Sequence, residues 1–552
     1  MRQTFRNLTA YSWLVALFLF LMGVVLTSLP TTWYGAPLPI IHDEFGYILL
    51  GETFAHGRLT NPPPPGPLEF FQTYYQFQTP RYYAMYPPGQ GFALALGVLL
   101  GQPIIGMWIV NGAWAIALYW MLRGLMSRGW ALAGALAGMA GYGAFSYWGQ
   151  SFWGGSVLAL GGALTFGGAV RLWRKRGSPL SAAAWAGVGC IIMALTRPLD
   201  GCIFALWPTA LILWNGRERF QRGEKASGVG VLATFVLFAL LGVGLTLGYN
   251  VATTGDAFLF AHRLYSSIYQ PAFSMFVWQH PHGDTAAVPP FMLGLEKLMP
   301  SYLTEDPLTW ATRWDSLKTA WHTEQPFMLP KSLWPLAALG VLAGWRARDA
   351  WVRRSLLSVA FIALPLAIVR FYDKPHYLAA WTAPLLIIIL QGARHLHAWV
   401  LRRKLKPRWL GMAAALALLA AFPVLRVYYD FHLSAPYWAT QPWASDRHNV
   451  EISLMEHAAA TGRRQLATVV YPALHNFHHD WIFNSADPAS QLVLWARSLG
   501  EARDPELFAA FPNYDHWAVF TDADGGLVKA VLLPKPASTA ATPTATPAAP
   551  QP

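Results

Sequence analysis

The chain reads as an all-α polytopic membrane protein of about eleven transmembrane helices, followed by a small α/β extracytoplasmic domain. Three observations carry this reading. Of 552 residues, 54% are hydrophobic and only 12% charged, whereas a soluble domain is about 25% charged. The apolar residues come in long runs, the first being the charge-free Leu14–Leu29. Lys and Arg gather between runs, in every second connection.

Each span follows from a run. Ala131–Phe145, Gly155–Val170, Gly228–Leu247, Leu356–Val369, Leu378–Leu390 and Leu410–Leu425 repeat the pattern of the first. About 20 apolar residues in a helix match a hydrocarbon core about 30 Å thick. Buried helices of a large soluble enzyme account poorly for so many. The first run is an anchor, because no small-residue cleavage site follows it. Gly89–Leu122 holds a short run, a break at Gly101-Gln102-Pro103 and a longer run. Two full crossings would place Arg123 and Arg128 outside, so one crossing plus a re-entrant or interfacial helix fits better.

The net charge is +12. A basic balance alone suggests nucleic acid, but here the charge sits in short connections: Arg2/Arg6, Arg123/Arg128, 171–176, 217–225, 346–354 and 402–408. Such loops stay in the cytoplasm, so no nucleic-acid partner is expected. The N-terminus is then cytoplasmic and the C-terminus extracytoplasmic, in what reads as a bacterial inner membrane. Cys190 and Cys202 lie in apolar segments and imply neither a disulfide framework nor a zinc site.

The expected organisation is as follows. Residues 1–34 hold the N-terminus and first span, and 35–88 a long polar loop. Residues 89–251 are a transmembrane core, 252–330 a second large loop and 331–428 the last spans. Residues 429–533 are the extracytoplasmic α/β domain, and 534–552 a Pro/Ala/Thr tail whose composition predicts disorder. Within the α/β domain QLATVV and HWAVF read as strands and SQLVLWARSLG as a helix. Asp524-Gly525-Gly526 reads as the turn of a hairpin into LVKAVLL.

The sharpest candidate chemistry is Ile41-His42-Asp43-Glu44-Phe45-Gly46-Tyr47, two adjacent carboxylates shortly after the first span. A carboxylate there suits a general base that takes a proton from an attacking hydroxyl. The plain alternative is a solvated pair at a helix start, where the dipole favours acid. Gly51–Arg58 continues an amphipathic helix, which Asn61 and four prolines end. Tyr82-Tyr83-Ala84-Met85-Tyr86-Pro87-Pro88-Gly89 then re-enters the membrane.

An acidic pair after span one, a long first loop and a Tyr-Pro-Pro re-entry resemble the GT-C membrane glycosyltransferases. The nearest likeness is to the protein O-mannosyltransferase and aminoarabinose transferase branch and to bacterial RgtA/B/C/D-like proteins. The resemblance covers most of 1–430. It implies a polyprenyl-phosphate sugar donor, Asp43 as catalytic base, and Glu44 supporting it or holding acceptor or metal. Phe371-Tyr372-Asp373-Lys374-Pro375-His376-Tyr377 resembles the late motif of these families near the lipid phosphate. A departing phosphate needs positive charge and donors, which Lys374, His376 and nearby Arg370 would supply. Interfacial anchoring is the alternative. Arg197, in Thr196-Arg197-Pro198-Leu199-Asp200, is a third phosphate candidate or a partner of Asp200. His42, Tyr47, Tyr86 and Tyr377 are the expected substrate-binding side chains.

Weaker signals remain. Tyr147–Gly155 is an aromatic, Gly-rich turn, suited to stacking a sugar or to an aromatic belt. His475-Asn476-Phe477-His478-His479-Asp480 holds metal-ligating residue types without an obvious second cluster. Asp256, after Asn250, marks the start of the second loop. No cofactor is fixed, and a divalent metal stays open, with no ligand assigned. Walker A and Rossmann fingerprints are absent. The chain is thus expected to be an inverting glycosyltransferase that takes a lipid-phosphate sugar to an extracytoplasmic lipid, glycan or protein. The alternative is a transporter or flippase, disfavoured because polar groups lie in loops and not at mid-membrane.

Overall fold

The structure is a computed structural model. It describes residues 2–270, 276–277, 288–289, 291–292, 310–369, 374–404, 407, 409–428, 441–473 and 475–534. Arg370 to Asp373, the tail and the middle of the second loop lie outside the described residues.

The chain is mostly helical, and among the described residues eight helices are long and apolar enough to cross a membrane. A ninth span results if Arg313–Met328 and Lys331–Arg346, bent by 67° at the break between them, are counted as one. Two further apolar runs form Arg128–Gly138, prolonged by the π-helical turns Met139–Ala144, and Pro198–Gln221, neither of which is among those spans. Eight or nine spans among the described residues thus stand against about eleven expected. The chain is a multi-pass membrane protein.

Pro88–Leu99 is a separate helix of 12 residues, roughly 18 Å long and too short to cross. Pro103–Arg123, 21 residues long, does the crossing. This matches the expected division of 89–122, with Gly101 at φ +95 in the break.

Three of the basic connections lie together, those near Trp120, at 171–176 and at 346–354. Arg171 donates to the Trp120 carbonyl and lies over the Trp120 ring, and Arg354 stacks on Trp173. The first polar loop and the C-terminal domain meet one another. Glu52 accepts the Ala486 N–H at 2.8 Å, the Tyr82 hydroxyl donates to the Asn484 carbonyl at 2.7 Å, and Arg503 pairs with Glu69.

That packing changes the reading of the helix after the acidic pair. His42–Ala55 buries ten of its 14 residues, so it is covered on both sides and is not amphipathic. Its deep faces pack on Pro88–Leu99 and on a short hairpin of β1 (Gln76–Phe77) with β2 (Tyr83–Ala84). Phe45 stacks on Phe483 of the C-terminal domain.

The C-terminal domain is α/β, as expected. Its sheet contains β3 (Arg464–Val470), β4 (Val493–Arg497), β5 (Tyr514–Thr521) and β6 (Leu527–Leu532), in the order β4-β3-β5-β6. The first three are parallel and β6 closes an antiparallel hairpin with β5. The Asp522 carboxylate accepts the Asp524 and Gly526 N–H groups and shapes the expected turn. The segment SQLVLWARSLG is a correction: it forms β4, not a helix, and all five strand residues are buried. A parallel strand covered on both faces shows an unbroken apolar run, which periodicity does not separate from a buried helix. The nearby helix is Asp504–Ala510.

Candidate functional site

The site is built where the His42–Ala55 helix begins. Asp43 and Glu44 occupy its first turn, where the helix dipole favours acid. The two carboxyls have separate environments. Glu44 is 1% exposed. Its Oε2 accepts the Ile40 N–H at 2.8 Å and its Oε1 the Phe152 N–H at 3.0 Å. Glu44 therefore pins the helix start to the 147–155 turn. Burial pushes its carboxyl up to about 7, against the two amide donors.

Asp43 is recessed yet keeps 23% of its side-chain surface open. Its Oδ1 accepts from the Tyr86 hydroxyl at 2.8 Å. Burial raises the Asp43 carboxyl above the usual carboxylate range, opposed by the Tyr86 hydrogen bond, His478 and Lys374. Tyr86 reaches it because position 46 is glycine. A Cβ on Gly46 would stand 2.8 Å from the Tyr86 ring. Tyr47 stacks on Tyr86 with ring centroids 4.3 Å apart.

The late motif arrives from the opposite side. Lys374 lies close enough to Asp43 and His478 to act on both charges. Pro375–Trp381 is a 3-10 turn leading into Thr382–Arg402. His376 is 1% exposed. Its N–H donates to the Tyr147 hydroxyl at 3.1 Å, and its Nδ1 lies 3.0 Å from the same oxygen. With the hydroxyl donating to Nδ1, a neutral His376 carries its hydrogen on Nε2. Tyr377 carries Arg197 over its ring at 4.4 Å, and Arg197 also acts on Tyr47. Gly89 makes room here, since a Cβ would meet the Leu195 backbone at 2.9 Å. Asp200 is buried in the first turn of the helix after Arg197.

The structure thus joins the acidic pair, Tyr47 and Tyr86 to Lys374, His376, Tyr377 and Arg197 through continuous contacts. The 147–155 turn completes the chain: Phe152 holds Glu44, while Trp153 packs on His376 at 4.9 Å. Trp148 is fully buried against Trp114 and Phe327, so this turn is a wall of the site and not an aromatic belt.

Two contributors had no clear sequence signal. His262, at the start of Ala261–Tyr269, lies close enough to Arg197 and Asp43 for both to act on its charge. His478, on the loop after β3, stacks on His42. Its motif was expected only as a metal candidate. Asp480 of that motif is instead held by Arg497 at 2.9 Å, Thr73 at 2.9 Å and Tyr471 at 2.6 Å. Among the described residues no group of three His, Cys, Asp or Glu side chains is arranged to hold a metal ion. Asp256 is half a helix turn past the Lys225–Thr254 helix, where it accepts the Phe258 N–H.

No family model and no curated protein matches the chain. Among solved structures it is similar to the Archaeoglobus fulgidus oligosaccharyltransferase in the apo form, at 12% identity and a TM-score of 0.45, over 92% of this chain and 69% of that one. The same organism's oligosaccharyltransferase AglB, in complex with an inhibitory peptide and a dolichol-phosphate, is similar at 11% identity and a TM-score of 0.40, over 93% and 69%.

Proposed function

We propose that the chain is an inverting membrane glycosyltransferase that moves a sugar from a polyprenyl-phosphate donor to a hydroxyl of an extracytoplasmic acceptor. One observation supports the reading: Asp43, a partly open carboxylate, is acted on by Lys374, and Arg197 acts on Tyr47, whose ring stacks on the Tyr86 that holds Asp43. A base beside cations at a membrane boundary suits displacement of a lipid phosphate. The distribution of Lys and Arg supports an extracytoplasmic site.

The acceptor oxygen attacks the anomeric carbon and gives its proton to Asp43 Oδ2, while Oδ1 stays on Tyr86. The bond between the anomeric carbon and the phosphate oxygen breaks, and its electron pair leaves on the phosphate. Lys374 and Arg197 offset that charge, with the Nε2–H of His376 as a further donor. A single displacement inverts the anomeric centre. Tyr47, Tyr86 and Tyr377 offer aromatic faces to the sugar. Glu44, with both oxygens on backbone amides, positions Asp43 and takes no proton from substrate.

The test compares membranes holding wild type and Asp43→Asn, each given a panel of radiolabelled undecaprenyl-phosphate hexoses and pentoses. Transfer is expected to fall by at least about a hundredfold in the variant. Equal transfer by both removes Asp43 from the chemistry.

A further inference from the structure

We propose that His42 is a positioning residue for Asp43: a neutral imidazole presenting a bare Nε2 to the carboxyl, fixed in that tautomer by the Phe477 carbonyl and in that orientation by the His478 ring of the C-terminal domain. This rests on the reading of Asp43 as the base.

The tautomer follows from the contacts. His42 is 2% exposed, and its Nδ1 lies 3.3 Å from the Phe477 carbonyl oxygen. A carbonyl only accepts, so Nδ1 carries the hydrogen. Burial keeps the ring neutral, lowering it to about 4. Nε2 therefore carries a lone pair. It is buried, has no hydrogen-bond partner among the described residues and lies 3.5 Å from Asp43 Oδ2. The ring does not turn freely. His478 lies parallel to it at 5.0 Å and 8°, Tyr74 stacks at 5.0 Å, and Tyr75 presents an edge at 4.5 Å.

This arrangement favours a proton on Oδ2. While Asp43 is ionised, Oδ2 and Nε2 oppose lone pairs across 3.5 Å. Once the acceptor proton reaches Oδ2, Nε2 accepts the new O–H. A partner that hydrogen-bonds only the neutral acid raises its pKa and makes the carboxylate a stronger base. The proton stays on Oδ2, and His42 is never charged. Tyr86, His478 and Lys374 act on Asp43 in the opposite sense. Glu44 is its neighbour, and Tyr47 and His262 lie nearby. Asp480 and His479 act on His42 itself.

The clamp comes from the loop after β3, at the carboxyl edge of the parallel strands, where open α/β sheets place functional loops. Asp480 anchors that loop through Arg497 and Tyr471 and ties it to Thr73. The C-terminal domain thereby belongs to the catalytic centre.

The test uses the full chain in proteoliposomes. Infrared difference spectra of wild type against Asp43→Asn isolate the Asp43 carboxyl band, and a pH titration gives its midpoint. His42→Phe keeps the stack and removes Nε2, and is expected to lower the midpoint by about one pH unit. His478→Phe keeps the stack and takes away only a group that lowers the Asp43 carboxyl, so its midpoint should not fall. His478→Ala, which also loosens the stack, should lie below His478→Phe. An unchanged or raised midpoint in His42→Phe overturns the proposal. The reading of Asp43 as base fails separately, through undiminished sugar transfer by Asp43→Asn.

Discussion

Glu44 offers the most direct separation of scaffold from chemistry. Glu44→Ala would leave the buried Ile40 and Phe152 amides without their acceptors, now at 2.8 and 3.0 Å. An unmet buried amide costs about 1–3 kcal/mol, so the pair costs about 2–6 kcal/mol. Glu44→Gln resembles the protonated acid and keeps one carbonyl oxygen, so it should unfold closer to wild type. The pH dependence has a defined sign. The folded carboxyl is raised from 4.5 to about 7, so its contribution is fully present below about 4.5 and lost as pH rises through about 7. The difference of about 2.5 pH units corresponds to about 3 kcal/mol. Wild type should therefore lose stability relative to Glu44→Gln between pH 4.5 and 7, by up to that amount. Thermal unfolding in detergent, followed by tryptophan fluorescence at one scan rate, reads both effects. An Ala variant as stable as wild type, with an unchanged pH curve, would refute the pin. A well-folded Glu44→Gln protein without sugar transfer would return Glu44 to the chemistry.

Two further perturbations follow from the same geometry. Tyr86→Phe removes the donor to Asp43 Oδ1 at 2.8 Å, a charged hydrogen bond of about 1.5–3 kcal/mol. The Asp43 carboxyl should rise by about one to two units, moving the acid limb of the kcat/KM profile to higher pH. An unmoved limb would dissociate Tyr86 from the base. Arg497→Met strands the buried Asp480 carboxylate, 1% exposed on its side chain. Breaking such a pair costs about 3–5 kcal/mol. Proteolysis of the loop after β3 should accelerate while the spans stay resistant, and an unchanged cleavage rate would count against Asp480 as its anchor.

The spans were legible because a bilayer imposes length and apolarity on each helix independently, without regard to its partners. Leu14–Leu29 falls on the Arg2–Ser28 helix except for its last residue, and Leu410–Leu425 lies within Leu410–Tyr428. The same reasoning failed at Val493–Arg497, where tertiary cover on both faces erases the strand's alternation. It failed again along His42–Ala55, because the face expected to meet water meets the C-terminal domain. Each error comes from burial by a segment remote in sequence.

The recess shows the same division. Asp43, Lys374, His376 and Arg197 stand out in the sequence as candidates because polar groups at the ends of apolar runs are costly there. What tunes them was not visible. His42 meets the Phe477 carbonyl across 435 residues of chain, and no local pattern announces a tautomer set by a backbone oxygen. His478 was noticed as a ligand type, but its partner turned out to be an aromatic ring. A short motif marks where charge is tolerated at the membrane edge; how basic that charge becomes depends on which distant surface closes over it. In this chain that surface is the C-terminal domain, so a substitution there is expected to move the pH response of a carboxylate set at the first turn of a helix 435 residues earlier.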